Sequence, residues 1–461
     1  MNDNPSFSGA SESPVQQGSL FSDLPVPALT ERQPAGNSKP RLRRANRAQL
    51  LLLPVNLEDL LPEDHRARIV WDYVQGLDLT LLYQKIHAVE DGRGRAAIDP
   101  KILVALWLYA TIEGEGSARA LEALCEQHDA YKWICGGVHV NHHTLSDFRT
   151  DHVEFLNDLF TRSVATLMAQ DLVDLNRVAQ DGMRVRASAG AASFRRRKTL
   201  EECLREAEEQ VRTLQVELDA DPALAERRKQ AARQRAARER AERVGQALAQ
   251  LPELEAKKKA DDKEKARVST TDPEARVMKM ADGGFRPAFN FQYATDTATQ
   301  VIVGVDVVNY GSDLGQMAPM VQQIQERQDQ VPAAMLVDGG FAKKEDIDKV
   351  SAPEVGTVVY APVQKSKDPE RDEHTPRPDD SPAVAAWRQR MGTEAAKEIY
   401  KERAATAECV NAQARNRGLQ RLLVRGLNKV KAIALWFALA HNLMRTVALR
   451  VAAPATGTGG S

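Results

Sequence analysis

Apolar positions recur at helical spacing from about residue 54 to residue 170 and then switch to a period of two, and that switch divides the chain. Asp99-Pro100 ahead of ILVALWLYATI predicts a helix with a capping carboxylate and proline at its first position, stopped by Gly114-Glu115-Gly116. Ser117 caps the next helix, ARALEALCEQ, and Thr144 with Asp147 caps a third running through FRTDHVEFLNDLFTRSVATLM. Short helices broken by glycine, leading to His142, His143, Thr144, Ser146 and Arg149 at a helix start, are compatible with a helix-turn-helix reader and also with an ordinary helical bundle.

The period-two segments are RVAQDGMRVRA (177–187), FNFQYATD (289–296), VIVGVDVVN (301–309), AAMLVD (333–338) and TVVYAPV (357–363). Only TATQ separates the second from the third, which predicts a hairpin. The helix-length crossover MAPMVQQIQERQ separates the third from the fourth. This order describes an α/β fold with a mixed sheet. Between the first two strands, Leu200, Leu204, Ala207, Val211, Leu214 and Leu218 form the apolar seam of a coiled coil. Asp219-Ala220-Asp221-Pro222 breaks it, and Ala237, Ala241, Val244, Leu248 and Leu251 resume it, predicting an inserted antiparallel helical hairpin. Its Arg227, Arg228, Arg233, Arg235 and Arg238 form either a solvated face or a nucleic-acid contact.

The 461 residues suggest two or three domains. Net charge is −1, which excludes a whole-protein attraction to acidic partners, but residues 400–450 hold ten Lys/Arg against Glu402 and Glu408, a local phosphate-binding face. Residues 1–48 are rich in Ser, Pro, Asn and Gly and read as a disordered tail, although Lys39, Arg41, Arg43, Arg44 and Arg47 cluster within it. Cys125, Cys135, Cys203 and Cys409 follow no paired spacing, which points to a reducing compartment. The run AIALWFALA is too short to span a bilayer, so the expectation is a soluble, cytoplasmic protein with no membrane partner. The crowding of Cys125, His128, Cys135, His139, His142 and His143 does not follow zinc-ligand intervals.

Three acids carry candidate chemistry. Asp338 ends an apolar strand ahead of Gly339-Gly340, the place where α/β sheets expose reactive groups, and otherwise begins a turn or caps the helix AKKEDIDKV. Asp181 is followed by Gly182, Arg184 and Arg186; Asp-Gly is also a two-residue hairpin turn. On a regular helix Lys401 and Arg415 lie within about 20° of Glu408, with Tyr400 and Asn411 within about 80° on the same side. That stripe suits an acid that binds metal between cations, and equally a surface helix with ion pairs. Carboxylates gathered from separate elements are the means by which proteins hold divalent metals for phosphoryl transfer.

The segments ALWLYATIEG, NHHTLSDFR, QDGMRVRAS, FNFQYATD, LVDGGFAKKEDI and Y-x-x-R before E-x6-R resemble the DDE transposases of bacterial insertion sequences. The resemblance covers nearly everything after the tail. It implies a ribonuclease H-like catalytic domain (171–195 and 280–450), a helical DNA-binding domain (49–170), the inserted hairpin (196–279) and a disordered end (451–461). It further implies Asp181, Asp338 and Glu408 as catalytic ligands of two Mg²⁺ ions, with Mn²⁺ as substitute. Tyr400, Arg403 and Arg415 match residues that hold the transposon end; Lys401, Arg184 and Arg149 join them as DNA-contact candidates. Partners would be double-stranded DNA, as element ends and target, and a second copy of the chain, working at the bacterial nucleoid. A nuclease without strand transfer and an inactive DNA-binding protein are the alternatives. One departure stands out: Ala404 to Ala407 put four residues between Arg403 and Glu408 where the best-known form has three. On a regular helix this turns Arg403 about 140° away from Glu408.

Overall fold

The computed structural model describes residues 56–86, 96–220, 224–365 and 372–452. The tail over 1–48 with its basic cluster, the Asp221-Pro222 break and the chain end from 453 lie outside them.

Helices come first: α1 (Arg66–Gln75), α2 (Thr80–Tyr83), α3 (Pro100–Glu113), α4 (Ala118–Gln127), α5 (Asp129–Cys135), α6 (His142–Asp151) and α7 (Val153–Ala169). α3 is apolar all round and therefore enclosed: Ile102 to Ala110 are all buried. Asp99 accepts from the Lys101 amide at 2.9 Å, and Gly114 stops the helix in the left-handed region at φ 81°. Ser117 caps α4 as the spacing requires. The expected cap at Thr144 is corrected: Asn141 Oδ1 accepts from the Thr144 amide at 3.0 Å, so Thr144 already lies in the first turn. The chain also breaks at His152, making two helices of the expected third.

The sheet follows. Its strands are β1 (Arg177–Arg186), β4 (Arg276–Lys279), β5 (Phe285–Asp296), β6 (Ile302–Val308), β7 (Ala334–Leu336) and β8 (Val358–Tyr360); β2 (Phe194–Arg195) and β3 (Val268–Ser269) pair separately. β1 lies between β5, antiparallel, and β7, parallel; β8 continues parallel beyond β7. On the far side of β5, its first half pairs with β4 and its second half with β6, both antiparallel, so the expected hairpin forms. α10 (Met317–Gln328) makes the crossover from β6 to β7. α11 (Lys344–Val350), α12 (Pro382–Met391) and α13 (Glu394–Arg403) follow, then a π-helical turn (Ala404–Glu408), α14 (Cys409–Asn416) and α15 (Leu427–Ala452).

Two long helices, α8 (Arg197–Ala220) and α9 (Leu224–Ala256), interrupt the sheet between β2 and β3. Arg197 meets Glu255 at 2.7 Å and Arg240 meets Glu206 at 3.8 Å, so the helices run antiparallel. Leu200, Ala207, Ala237, Val244 and Leu251 are buried along them, whereas Arg233, Arg235 and Arg238 are exposed.

α15 is long and apolar enough to cross a membrane by length and composition, but two-thirds of that stretch is buried inside the protein. It packs on α3, α6, α7 and β6. Asn442 clamps it to the sheet by taking the Ile302 amide and donating to the Ile302 carbonyl, each at 2.8 Å. The Trp436 indole donates to the Arg149 carbonyl at 3.0 Å. The helical region and the sheet thus share one apolar core.

Candidate active site

Asp181 sits inside β1, not in a turn. Its backbone pairs with Tyr293 and Gly182 pairs with Gln292, so pairing with β5 overrides the local turn preference of Asp-Gly. The side chain is largely buried, and its oxygens accept from the Gly182 amide at 2.9 Å and from Asn411 Nδ2 at 3.0 Å. Burial pushes the Asp181 carboxyl above the ordinary range; the Arg403 guanidinium opposes this, and Asp338 and Asp313 add to it.

Asp338 lies two residues past β7, beside β1. It accepts from the Gly340 amide at 2.7 Å and so does close a turn, but it does not cap α11, whose N-cap position is Lys343. Its side chain is half exposed. Glu408 ends the π turn and is more exposed still.

Arg403 draws the three together. One Nη nitrogen lies 3.3 Å from Asp181 Oδ1 and 3.9 Å from Asp338 Oδ2; the other lies 3.6 Å from Glu408 Oε1. The expected separation of Arg403 from Glu408 is therefore corrected, and the cause is the π turn. There the hydrogen bonds run five residues along, so residues five apart stack as residues four apart do in an α-helix. The extra residue between Arg403 and Glu408 is absorbed within Ala404–Glu408. Glu402, just before it, fastens α13 to the sheet through Arg177 at 3.0 Å and Thr297 at 3.0 Å.

The other candidates scatter. Tyr400 is half-buried beside Arg403, and burial raises its hydroxyl above the usual value. Lys401 pairs with Glu398 at 2.6 Å. Arg415 is exposed on α14. Arg184 donates to the Gly311 carbonyl at 2.9 Å and pairs with Asp313 at 3.1 Å. Arg149 is turned inward: it lies 4.4 Å over the Trp107 ring, donates to the Gly116 carbonyl, and burial pushes it down to about 10. In the Cys/His-rich stretch, His142 bonds Glu122 at 2.7 Å and His128 caps α5.

Sequence reasoning gave no role of their own to two residues of the site. Asn411, placed on the right side of the helix by its spacing, holds Asp181. Asp313, in a loop with no motif, accepts from Asn290 Nδ2 at 2.6 Å and Gln292 Nε2 at 2.8 Å and fills the space over Gly182. Only its distance in sequence hides it.

Residues 55–151 match the family described as Transposase domain (DUF772), and residues 364–447 match the Transposase DDE domain family. Both matches are to transposase domains, and together they support a DDE-type transposase of an insertion sequence. The second match contains Arg403, Glu408 and Arg415; Asp181 and Asp338 lie upstream of it. No curated protein and no solved structure matches the transposase.

Proposed function

We propose that this transposase binds the ends of its own insertion sequence as duplex DNA and catalyses metal-dependent strand cleavage and strand transfer, with Asp181, Asp338 and Glu408 as the catalytic carboxylates. The observation that carries the reading is the meeting of three acids, from a strand, a strand end and a helix, on the single guanidinium of Arg403. A ribonuclease H-like core is supported by the strand order β6-β5-β1-β7-β8, with β5 antiparallel to its neighbours. We read α8 and α9 as a coiled-coil arm on that core.

Among the described residues no group of three His, Cys, Asp or Glu stands ready around a metal position; Arg403 stands between the acids instead. Their chemistry nonetheless fits a hard divalent ion, which prefers several carboxylate oxygens. Asp181, Asp338 and Glu408 would hold two Mg²⁺ ions, or Mn²⁺, which when bound supply Lewis-acid charge to the attacking and leaving oxygens. Asn411 and the Gly182 amide orient Asp181, and the shared core of β1 and β7 fixes the spacing of the first two acids.

In the first step water attacks the phosphorus at the element's end in line and the bond to the 3′ oxygen breaks, leaving a free 3′-OH. In the second, that hydroxyl attacks a target phosphodiester, forming a new bond to phosphorus as the target's own 3′ oxygen departs. No side-chain nucleophile is needed. Tyr400, Arg403 and Arg415 are assigned to the element's end, with Lys401 and Arg184 as further phosphate contacts. Arg149 is assigned to the helical DNA-binding region, acting through its packing on Trp107. Two copies of the chain work together in the cytoplasm at the nucleoid, because two ends are cut in concert.

The test is incubation of the full chain with labelled end DNA, a target plasmid and Mg²⁺. Joined products from the wild type, and end binding without cleavage from Asp181→Asn, support the reading. Nicks that are never joined would reduce it to a nuclease; undiminished cleavage by Asp181→Asn would remove the assigned site.

A further inference from the structure

Beside Asp181 the surface falls into a cavity of about 510 Å³ whose floor is the end of β1. Gly182, Arg184 and Arg186 form that floor, Lys279 and Arg286 stand on the β4–β5 hairpin at one side, and Arg415 stands on the other. A second cavity of about 200 Å³ adjoins it, shares Arg186 and Arg286, and adds Arg421. The two make one track from Gly182 to Gly190.

Its charge is uncompensated. Arg186, Lys279, Arg415 and Arg421 are exposed and make no ion pair among the described residues. The acid lining the larger cavity, Asp282, is already paired with Arg286 at 2.7 Å. Four free cations held along a concave surface repel one another unless an extended anion lies between them. The backbone fixes the arrangement: Arg186 donates its amide to the Gln420 carbonyl at 3.1 Å and accepts from the Leu422 amide at 2.8 Å, which ties the floor to the wall after α14. The hairpin wall is closed by Met280 donating to the Gly284 carbonyl at 2.7 Å, with Gly283 at φ 81° in the turn.

We propose that this track holds the phosphodiester backbone of a DNA strand and leads it to Asp181, with the β4–β5 hairpin as its outer wall. From Gly182 to Arg186 the strand covers roughly 13 Å at about 3.3 Å per residue. A stretch of that length spans more than one phosphate of a single strand, and the unpaired cations stand beside it to neutralise them. The proposal rests on the DNA-cleaving function above and adds Arg186, Lys279 and Arg421, which contact no acid and lie outside the catalytic carboxylates.

The experiment is fluorescence anisotropy of a labelled duplex carrying the element's end, titrated with the full chain in EDTA over a range of salt. Removing three phosphate contacts in R186A/K279A/R421A lowers the slope of log affinity against log salt by about 2.7, at about 0.9 per contact. A control with the same charge loss on α9, R233A/R235A/R238A, keeps the wild-type slope. The single variant Lys279→Ala, at an exposed side chain, lowers it by about 0.9 and guards against misfolding of the triple variant. A wild-type slope in both K279A and the triple variant overturns the track while leaving the DNA-cleaving function standing. Absence of duplex binding by the wild type overturns both.

Discussion

Gly182 follows Asp181 in β1, and no side chain fits there. A Cβ built on it would lie 2.1 Å from Oδ1 of Asp313 and 2.7 Å from Nε2 of Gln292. Its φ is not in the left-handed region, so the backbone would accept alanine and the conflict is purely one of space. To regain ordinary contact the Asp313 carboxylate must retreat by about 1.3 Å. That retreat breaks its bonds from Asn290 at 2.6 Å and Gln292 at 2.8 Å and loosens Arg184 at 3.1 Å. Hydrogen bonds to a charged group are each worth about 1.5–3 kcal/mol, and a little of the loss is recovered by water at the cavity edge. Gly182→Ala should therefore destabilise the protein by about 3 kcal/mol, read from equilibrium urea unfolding by tryptophan fluorescence. In an Asp313→Ala background the main clash is gone and only the end of the Gln292 side chain has to shift, so the same substitution should cost about 1 kcal/mol, a coupling of about 2 kcal/mol. Equal costs in the two backgrounds would refute the steric argument.

Three more expectations follow from the same geometry. Arg403→Met leaves Asp181 buried without its cation and should cost about 3 kcal/mol at pH 7, with little from the solvent-screened Asp338 and Glu408. Because the loss penalises the ionised carboxyl, it should shrink as pH falls and Asp181 protonates; a pH-independent loss in urea unfolding would contradict this. Deleting Ala405, an exposed residue of the π turn, should convert that turn to regular α-helix and keep Arg403 and Glu408 on one face. The deletion variant should retain a wild-type circular dichroism spectrum and end cleavage, and a collapsed spectrum would show that the turn does more than absorb a residue. Burial lowers His441 to about 4, and the imidazole bonds the Gln300 carbonyl at 2.8 Å. A depressed folded value means stability present above the ordinary value near 6.5 and lost as pH falls through 4; the loss should be about 3 kcal/mol, and His441→Asn should flatten that part of the pH profile.

Local signals in the sequence located most elements. Asp99-Pro100 and Gly114 bracket α3, and MAPMVQQIQERQ spans α10 to the residue, because caps and periodicity act within a few positions. What failed was decided at a distance or by a rare geometry. The turn reading of the Asp181-Gly182 dipeptide lost to the period-two pattern of 177–187, because pairing with β5 makes it a strand interior. The run AATAE is ordinary helix-forming sequence, so nothing local marks a π turn; the one-residue excess between Arg403 and Glu408 was its only trace. The stripe with Lys401 assumed a regular helix, and the same turn breaks that assumption, leaving Lys401 to Glu398. Asp313 carries no motif and enters the site only because β5 and β6 bring its loop over Gly182.

The central claim is that Asp181, Asp338 and Glu408 act as one cation-binding unit, and calorimetric titration of Mn²⁺ into the full chain addresses it without relying on turnover. Asp181→Asn, Asp338→Asn and Glu408→Gln should each weaken binding at least about tenfold, since each removes a charged oxygen ligand. Wild-type affinity retained in all three would contradict the account.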